Sequence, residues 1–283
     1  MPSRCCHCCV KNSVDSARDH RPITRRLPVN SPGLLIHPVT DLPLVRSGDN
    51  LALLIGTACD RGGFALRDGD VLVLAQKIVS KAEGRQVLLA DVEASPEALK
   101  LAAEVDKDPR LVELVLRESD TIIRKTHGVL IVRHRLGIVS ANAGIDQSNI
   151  SHDQGESALL LPRDPDQSAR RLRADFATDS GLNLGIIISD STNRPWRMGT
   201  VGIAIGSAGI TVLDDRRGQT DMFGRELKVT MINRADSIAT AAMLVMGETT
   251  ERVPAAIVRG FPAENSSQGA ADCLRPLAED LFR

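Results

Sequence analysis

The stretch IIISDSTNRPWRMG, Ile186–Gly199, sets the expectation for the whole chain. Three consecutive isoleucines read as a short buried strand. A buried strand that ends on Ser189-Asp190-Ser191 carries a carboxylate and hydroxyls to the edge of a sheet, where ligands gather in open α/β sheets. Asp190 and Ser191 offer hard oxygen donors of the kind that hold Mg²⁺ or Mn²⁺ with a phosphate. Arg194 and Arg197 follow, around Pro195 and the single tryptophan, Trp196. Their planar guanidinium groups suit phosphate or carboxylate. A strand end followed by a salt-bridged turn would use the same residues, so the reading depends on what else the chain supplies.

Three further segments supply it. Val71–Ala75 is a second apolar run of buried-strand character, and QKIVSKAEGR, Gln76–Arg85, follows it. This segment reads as a basic loop in which Lys77 and Lys81, four apart, are either solvated or reach a phosphate as point charges. The polar run Asn142–Asn149 places the acceptors of Asp146 and Asn149 three apart, and Asp146 and Asp190 can share a divalent ion if their strands lie close. An Ala-rich helix over Thr230–Met246, closed by Gly247, leaves Glu248 in the loop MGETTERVP before a strand at Ala255–Val258. Glu248 is either a third metal oxygen or a solvated side chain.

Elsewhere the elements follow from local signals. Strands are expected at Leu34–Val39, Thr121–Arg124 and Val129–His134, with Gly137–Ala141 pairing back as a hairpin. A short helix fits Leu51–Ala58. Ser95-Pro96-Glu97 and Asp108-Pro109 are helix starts, each an N-cap followed by an N1 proline. Asp164-Pro165-Asp166 opens another helix, closed by Gly181, with Arg170, Arg171 and Arg173 expected on a solvated face. His127 and His134 read as structural imidazoles. In Val201–Ile210, VGIAIGSAGI, the small residues are expected to let backbones approach closely. That segment lacks the strand-then-G-x-G-x-x-G layout, and no G-x-x-x-x-G-K-[ST] occurs. The expected class is therefore α+β, mixed sheets with helices, neither Rossmann nor P-loop.

Composition narrows the function. Of 283 residues, 35 are Lys or Arg and 36 are Asp or Glu, for a formal charge of −1. Such a chain has no global field for nucleic acid or an anionic membrane. With no tyrosine and one tryptophan it lacks a base-stacking surface. No apolar run approaches the ~20 residues that span a bilayer, and no signal-peptide segment opens the chain. The expectation is a soluble cytoplasmic protein. Residues 1–33 read as a polar tail ahead of one domain, 34–283. The tail holds CCHCC, Cys5–Cys9, whose adjacent thiols do not match the usual zinc spacing. A thiol or metal sensor built on it is the non-catalytic alternative.

SKAEGR, ANAGIDQSN, SDSTNRPWR, the GxxDxFGRxL segment and VMGE…VPAAIVRG occur in one order over most of the chain. With these motifs the sequence resembles the coenzyme F420-0:L-glutamate ligase family, the γ-glutamyl ligases of deazaflavin cofactor synthesis. The resemblance runs from about Leu42 to the C-terminal LRPLAEDLFR. It implies a GTP-dependent ligase that joins L-glutamate to coenzyme F420-0, one or more residues, the later ones γ-linked. The route would pass through an acyl phosphate to GDP and phosphate. It implies Mn²⁺ or Mg²⁺ with K⁺, and a homodimer. By motif position the metal oxygens would be Asp146, Asp190, Ser191 and Glu248. GTP contacts would come from Leu42, Pro43, Leu44, Val45, Gln76, Lys77, Lys81, Asn149 and the loop Met246, Gly247, Glu248, Thr249, Thr250, Glu251, Arg252, Val253. Asp190, Lys81, Arg194 and Arg197 are the residues expected at the chemistry. Another metal-dependent acid–amine ligase, or a nucleotide hydrolase, is the alternative use of the same residues.

Overall fold

Ile186, Ile187 and Ile188 are fully buried, as the sequence reading requires. They sit in a five-stranded sheet of the computed structural model, which describes residues 33–193, 196–261 and 263–280. The expectations for the CCHCC tail and for Arg194 lie outside the described residues.

In chain order the elements are β1 (Leu35–Pro38), α1 (Leu51–Arg61), β2 (Val71–Ala75), α2 (Gln76–Ala82), β3 (Gln86–Leu88), α3 (Pro96–Val105), α4 (Pro109–Arg117) and β4 (Ser119–Thr126). They continue with β5 (Val129–His134), β6 (Val139–Ala141), β7 (Ser157–Leu159), α5 (Pro165–Ser180), β8 (Gly185–Asn193) and β9 (Thr200–Ala208). The last are β10 (Leu213–Asp215), β11 (Met231–Asn233), α6 (Arg234–Met246) and β12 (Ala255–Arg259). The main sheet has the order β1-β12-β2-β8-β9. Its neighbours pair antiparallel except β2 and β8, which run parallel. The class is mixed α and β, as expected.

Side-chain alternation divides this sheet between two cores, because successive strand residues point to opposite faces. Leu72, Leu74, Ile186, Ile188, Ala255 and Ile257 pack with Ile55 of α1, Ile78 and Val79 of α2 and Leu172 and Phe176 of α5. Val71, Val73, Ile187, Ala256 and Val258 pack on the other face with Ala235, Ile238, Ala239 and Ala242 of α6. Helices cover both faces, which explains why β2 and β8 read as continuous apolar runs. A third core, with Leu101, Val105, Val112, Val115, Leu130, Val132 and Leu160, joins α3 and α4 to the sheet β4-β5-β6. The N-caps here are as the sequence signals: Ser95 Oγ accepts from Ala98 N at 3.2 Å and Asp108 Oδ1 from Arg110 N at 2.8 Å.

Arg85 bridges the first and third cores. Its Nε donates to the Leu161 carbonyl at 2.8 Å and its Nη2 to Glu118 Oε2 at 3.0 Å. Glu118 also accepts from Arg135 at 2.9 Å, and His134 Nε2 lies 3.3 Å away. His134 Nδ1 accepts from Leu136 N, so Nε2 carries the proton and faces the carboxylate. His134 is thus a structural imidazole, as expected. Burial alone would raise the Glu118 carboxyl, but His134, Arg85 and Arg135 outweigh it and hold it below its ordinary range.

Two local expectations change. Gln76–Ala82 is a helix, α2, rather than a basic loop: Ile78 and Val79 bury against the first core while Lys77 and Lys81 take the other side. The Ala-rich helix starts at Arg234, not Thr230. Met231–Asn233 pairs with Leu213–Asp215, and the Asn233 side chain caps Asp236 N at 2.9 Å. A polar N-cap just inside the apolar spacing decided the boundary. The Asp214-Asp215 segment, read as loop, supplies the partner strand.

The glycines of β9 behave as expected. A Cβ on Gly202 would lie 2.7 Å from the backbone of Ala239, so β9 and α6 touch through their main chains. Thr240 Oγ1 donates to the Gly202 carbonyl at 2.7 Å across this contact. Gly202→Ala should therefore overpack the joint and lower unfolding free energy by about 1–3 kcal/mol. Urea denaturation measures this; an unchanged midpoint would refute the close approach. Among the described residues no helix is long and apolar enough to cross a membrane.

Candidate active site

The parallel pairing of β2 and β8 sets Ala75 opposite Ser189. The next residues, Gln76 and Asp190, are therefore neighbours at the end of β2, but only Gln76 leaves the sheet: β8 does not stop on the carboxylate as expected and runs on to Asn193, with Asp190 paired to Ile203 of β9. Gln76 Nε2 donates to Asp146 Oδ2 at 2.8 Å, and its Oε1 accepts from Ser80 Oγ at 3.0 Å, one turn along α2. Lys77 Nζ stands 3.4 Å from the same Asp146 oxygen. In this way α2 fastens the 142–149 segment to the sheet end where Asp190 lies.

That segment turns sharply before it reaches Asp146. Asn142, Ala143 and Gly144 have φ of 51°, 56° and 68°. Left-handed conformations cost non-glycine residues energy and concentrate at functional sites. Ala143 is fully buried in the third core, which holds it there. The Asp146 backbone then exchanges hydrogen bonds with Leu159, at 3.0 and 2.8 Å. Farther on, the Asn149 carbonyl accepts from Lys81 Nζ at 2.8 Å, and Asn149 Nδ2 donates to the Thr249 carbonyl at 3.2 Å. Asn149 thus ties α2 to the loop after α6. That loop leaves the helix at Gly247, φ 73°. It is braced by Glu251, whose carboxylate accepts from Thr249 N at 2.8 Å, and it returns where Ala75 N donates to the Pro254 carbonyl at 2.8 Å.

The electrostatics mark the same place. Burial raises Asp190 to a pKa of about 7, and the charges of Asp146 and Glu248 push in the same direction. Burial also raises Asp146, against the pull of Lys77. Lys81 is lowered by burial and by the charge of Lys77. Desolvated carboxylates crowded against one another, with two lysines beside them, form an arrangement typical of functional sites. Among the described residues no three His, Cys, Asp or Glu side chains already stand close enough to enclose a metal ion. The donor chemistry nevertheless fits a hard divalent cation: carboxylate and hydroxyl oxygens only, and an Asp190 whose burial outweighs the help of Ser191 N–H and Lys77.

Of the residues the sequence singled out, the structure gathers Gln76, Lys77, Lys81, Asp146, Asn149, Asp190, Glu248 and Thr249 by the bonds and charges above. Ser191 follows Asp190 at the exposed strand end, its N–H donating to Asp190 Oδ1 at 2.9 Å. Leu42 and Val45 are buried in the core that holds Ile78 and Val79, leaving Pro43 and Leu44 exposed beside α2. Met246 is buried at the end of α6, whereas Thr250, Glu251 and Arg252 are exposed and Val253 half-buried. Arg197 is exposed between β8 and β9, past the end of the strand that carries Asp190. The sequence reading missed Ser80 as the partner that orients Gln76. Their spacing of four was the available signal, hidden by treating α2 as a loop.

The F420-0:Gamma-glutamyl ligase family model matches residues 40–260. The chain is 46% identical over 253 residues to the coenzyme F420:L-glutamate ligase of Methanothermobacter thermautotrophicus, spanning 89% of this chain and 99% of that one. It is 44% identical over 256 residues to the enzyme of the same name from Methanopyrus kandleri, 89% and 98% of the two chains. Against that of Archaeoglobus fulgidus it is 42% identical over 248 residues, 88% and 96%. These matches cover a mixed α/β domain with an acidic, lysine-flanked site at one sheet end. The chain belongs to the F420-0:gamma-glutamyl ligase family.

Proposed function

We propose that this protein is a GTP-dependent ligase that adds L-glutamate, one or more residues with the later ones γ-linked, to coenzyme F420-0 in the cytoplasm. The observation that carries the reading is the convergence of Asp146, Asp190, Lys77 and Lys81 at one sheet end in a chain of this family. An acid and an amine condense only if one carboxylate oxygen becomes a leaving group. The F420-0 carboxylate would attack the γ-phosphorus of GTP, breaking the bond to the β-phosphate oxygen and releasing GDP. The glutamate nitrogen would then attack the acyl carbon, expelling inorganic phosphate and leaving an amide, with the amine proton passing to solvent.

Such a transfer asks the protein for placement and charge rather than covalent help. Lys81, held by Asn149, would set a positive charge against the phosphates, and Gln76, Lys77 and the Met246–Val253 loop would wall the nucleotide without a P-loop. Asp146, Asp190, Ser191 and Glu248 would hold Mn²⁺ or Mg²⁺, with K⁺ as a further ion. When bound, such ions offset the phosphate charge. Arg197, on the outer turn, would meet the more distant carboxylates of the substrates. The reading includes a homodimer, checked by sedimentation mass.

The test is to supply F420-0, L-glutamate, Mn²⁺ and GTP or ATP and to weigh the product. The expected result is a gain of one or two glutamyl residues with GTP and little with ATP. GTP hydrolysis without a glutamyl adduct would overturn the proposal in favour of a hydrolase. Lys81→Ala should weaken GTP binding about tenfold, the worth of one charge-assisted contact at ~1.4 kcal/mol. An unchanged dissociation constant by calorimetry would remove Lys81 from the nucleotide.

A further inference from the structure

A buried serine of α2 sets the sense of an amide on which the acidic site depends. Ser80 is fully buried, and Gln76, one turn back, is 1% exposed. Ser80 Oγ donates to Gln76 Oε1 at 3.0 Å, and Gln76 Nε2 donates to Asp146 Oδ2 at 2.8 Å. The three side chains form one line from the interior to the carboxylate.

Three observations give that line a purpose. An ionised carboxylate only accepts hydrogen bonds, whereas an amide donates or accepts according to which way round it lies. With its carbonyl turned to Asp146, the Gln76 amide would repel the carboxylate instead of holding it. Neither Ser80 nor Gln76 is open to water, so the Ser80 hydroxyl, by engaging Oε1, keeps the NH2 end toward Asp146. Secondly, a helical serine or threonine can return its hydroxyl to the carbonyl four residues back. Thr57, Ser168, Ser180 and Ser237 do so here, at 2.7–3.0 Å. Ser80 gives its proton to the Gln76 side chain instead. Thirdly, Gln76 and Lys77 both meet Asp146 at Oδ2, and Oδ1 accepts no hydrogen bond among the described residues. The carboxylate is gripped by one oxygen and presents the other.

We propose that Ser80 is a positioning residue for the cation: by fixing the Gln76 amide it holds Asp146 through Oδ2 and leaves Oδ1 to the metal. The inference rests on the reading of Asp146 as a metal oxygen. Outer hydrogen bonds of this kind orient metal ligands, and losing one costs about 10–100-fold in affinity.

The test measures the affinity of the full chain for Mn²⁺ alone at pH 8 by calorimetry, so that no turnover enters. Asp146→Ala should abolish binding. Ser80→Ala should weaken it about tenfold, the low end for an outer hydrogen bond. Gln76→Met, which removes the amide at similar volume, should weaken it at least as much. Adding Ser80→Ala to Gln76→Met should then change it by less than about twofold, because the hydroxyl acts through that amide. A serine that merely packs would cost the same in both backgrounds, and that result overturns the proposal. Thermal melts confirm the fold of each variant. Should Gln76→Met not hold the fold, Ser80→Thr decides in its place. It keeps the hydroxyl, so binding near wild type supports the proposal and binding as weak as that of Ser80→Ala overturns it. Absence of Mn²⁺ binding, or binding that survives Asp146→Ala, overturns the metal assignment and this inference with it. Binding lost in Asp146→Ala but unchanged in Ser80→Ala overturns this inference alone, while the glutamyl-transfer assay judges the ligase reading separately.

Discussion

Asp190→Asn is expected to cut ligase turnover by at least about 10²-fold, the scale of losing a group that organises transition-state charge, while making the metal-free protein more stable at pH 8. The two effects share one cause. Burial and the nearby Asp146 and Glu248 raise Asp190 to about 7, far above the ~3.9 of an unfolded aspartate. Between those values the folded state binds the proton more tightly than the unfolded state. Stability contributed by this group is therefore present at low pH, falls as pH rises from about 4 to about 7, and stays lost above. An amide removes that penalty, at most about 4 kcal/mol at ~1.4 kcal/mol per pKa unit. Thermal melts of the chelator-treated proteins should coincide near pH 4 and separate in favour of Asn at pH 8. Adding Mn²⁺ should then stabilise wild type by mass action and leave the variant unchanged. A variant that melts lower than wild type at pH 8 without metal would mean that Asp190 is a structural anchor.

Glu118→Ala should be the most damaging change away from that site. Arg85 is buried and would lose its only carboxylate partner among the described residues, and Arg135 would lose its own contact. Stranding a buried charge costs about 3–5 kcal/mol, to be read from urea unfolding. The carboxyl is held below its ordinary range, so its contribution is full above the unfolded value of ~4.3 and disappears as pH falls through the lower folded value. The deficit of the variant should accordingly shrink under acid conditions. Arg85→Leu with Glu118→Leu, which removes both charges, should lose less than either single change. A single-variant cost below about 1 kcal/mol would show that the bridge between the cores contributes little.

Legibility in the sequence followed the range of the physical signal. IIISD announced the buried strand because three β-branched residues are local facts, but not its end: β8 runs past Asp190 to Asn193, since pairing with β9 carries the strand through polar residues. The N1 prolines at Pro96, Pro109 and Pro165 marked helix starts for the same reason. Gln76–Ala82 was misread because its helical face is only two residues wide, Ile78 and Val79, and its lysines drew attention to the loop alternative. The approach of Asp146 to Gln76, seventy residues away, could not be deduced from spacing: it depends on the 142–144 turn and on a parallel strand pair. Motif order supplied that proximity only as an implication of kinship. Arg173 was lost in a cluster of three arginines, two of which are indeed exposed; it is half-buried and donates to Asn183 Oδ1 and Asn265 Oδ1.

The parallel neighbours β2 and β8 also govern how this chain comes to be folded. The crossover between them, roughly a hundred residues long, contains α3, α4 and the whole β4-β5-β6 sheet, and such distant pairing makes for slow folding. During synthesis the apolar VLVLA of β2 emerges well before either flanking strand exists, since β12 follows later still. Its two edges stay open to other chains for that interval. Overproduction at low temperature should therefore favour recovery, with the ribosome's pace, rather than the strength of any finished contact, setting the yield.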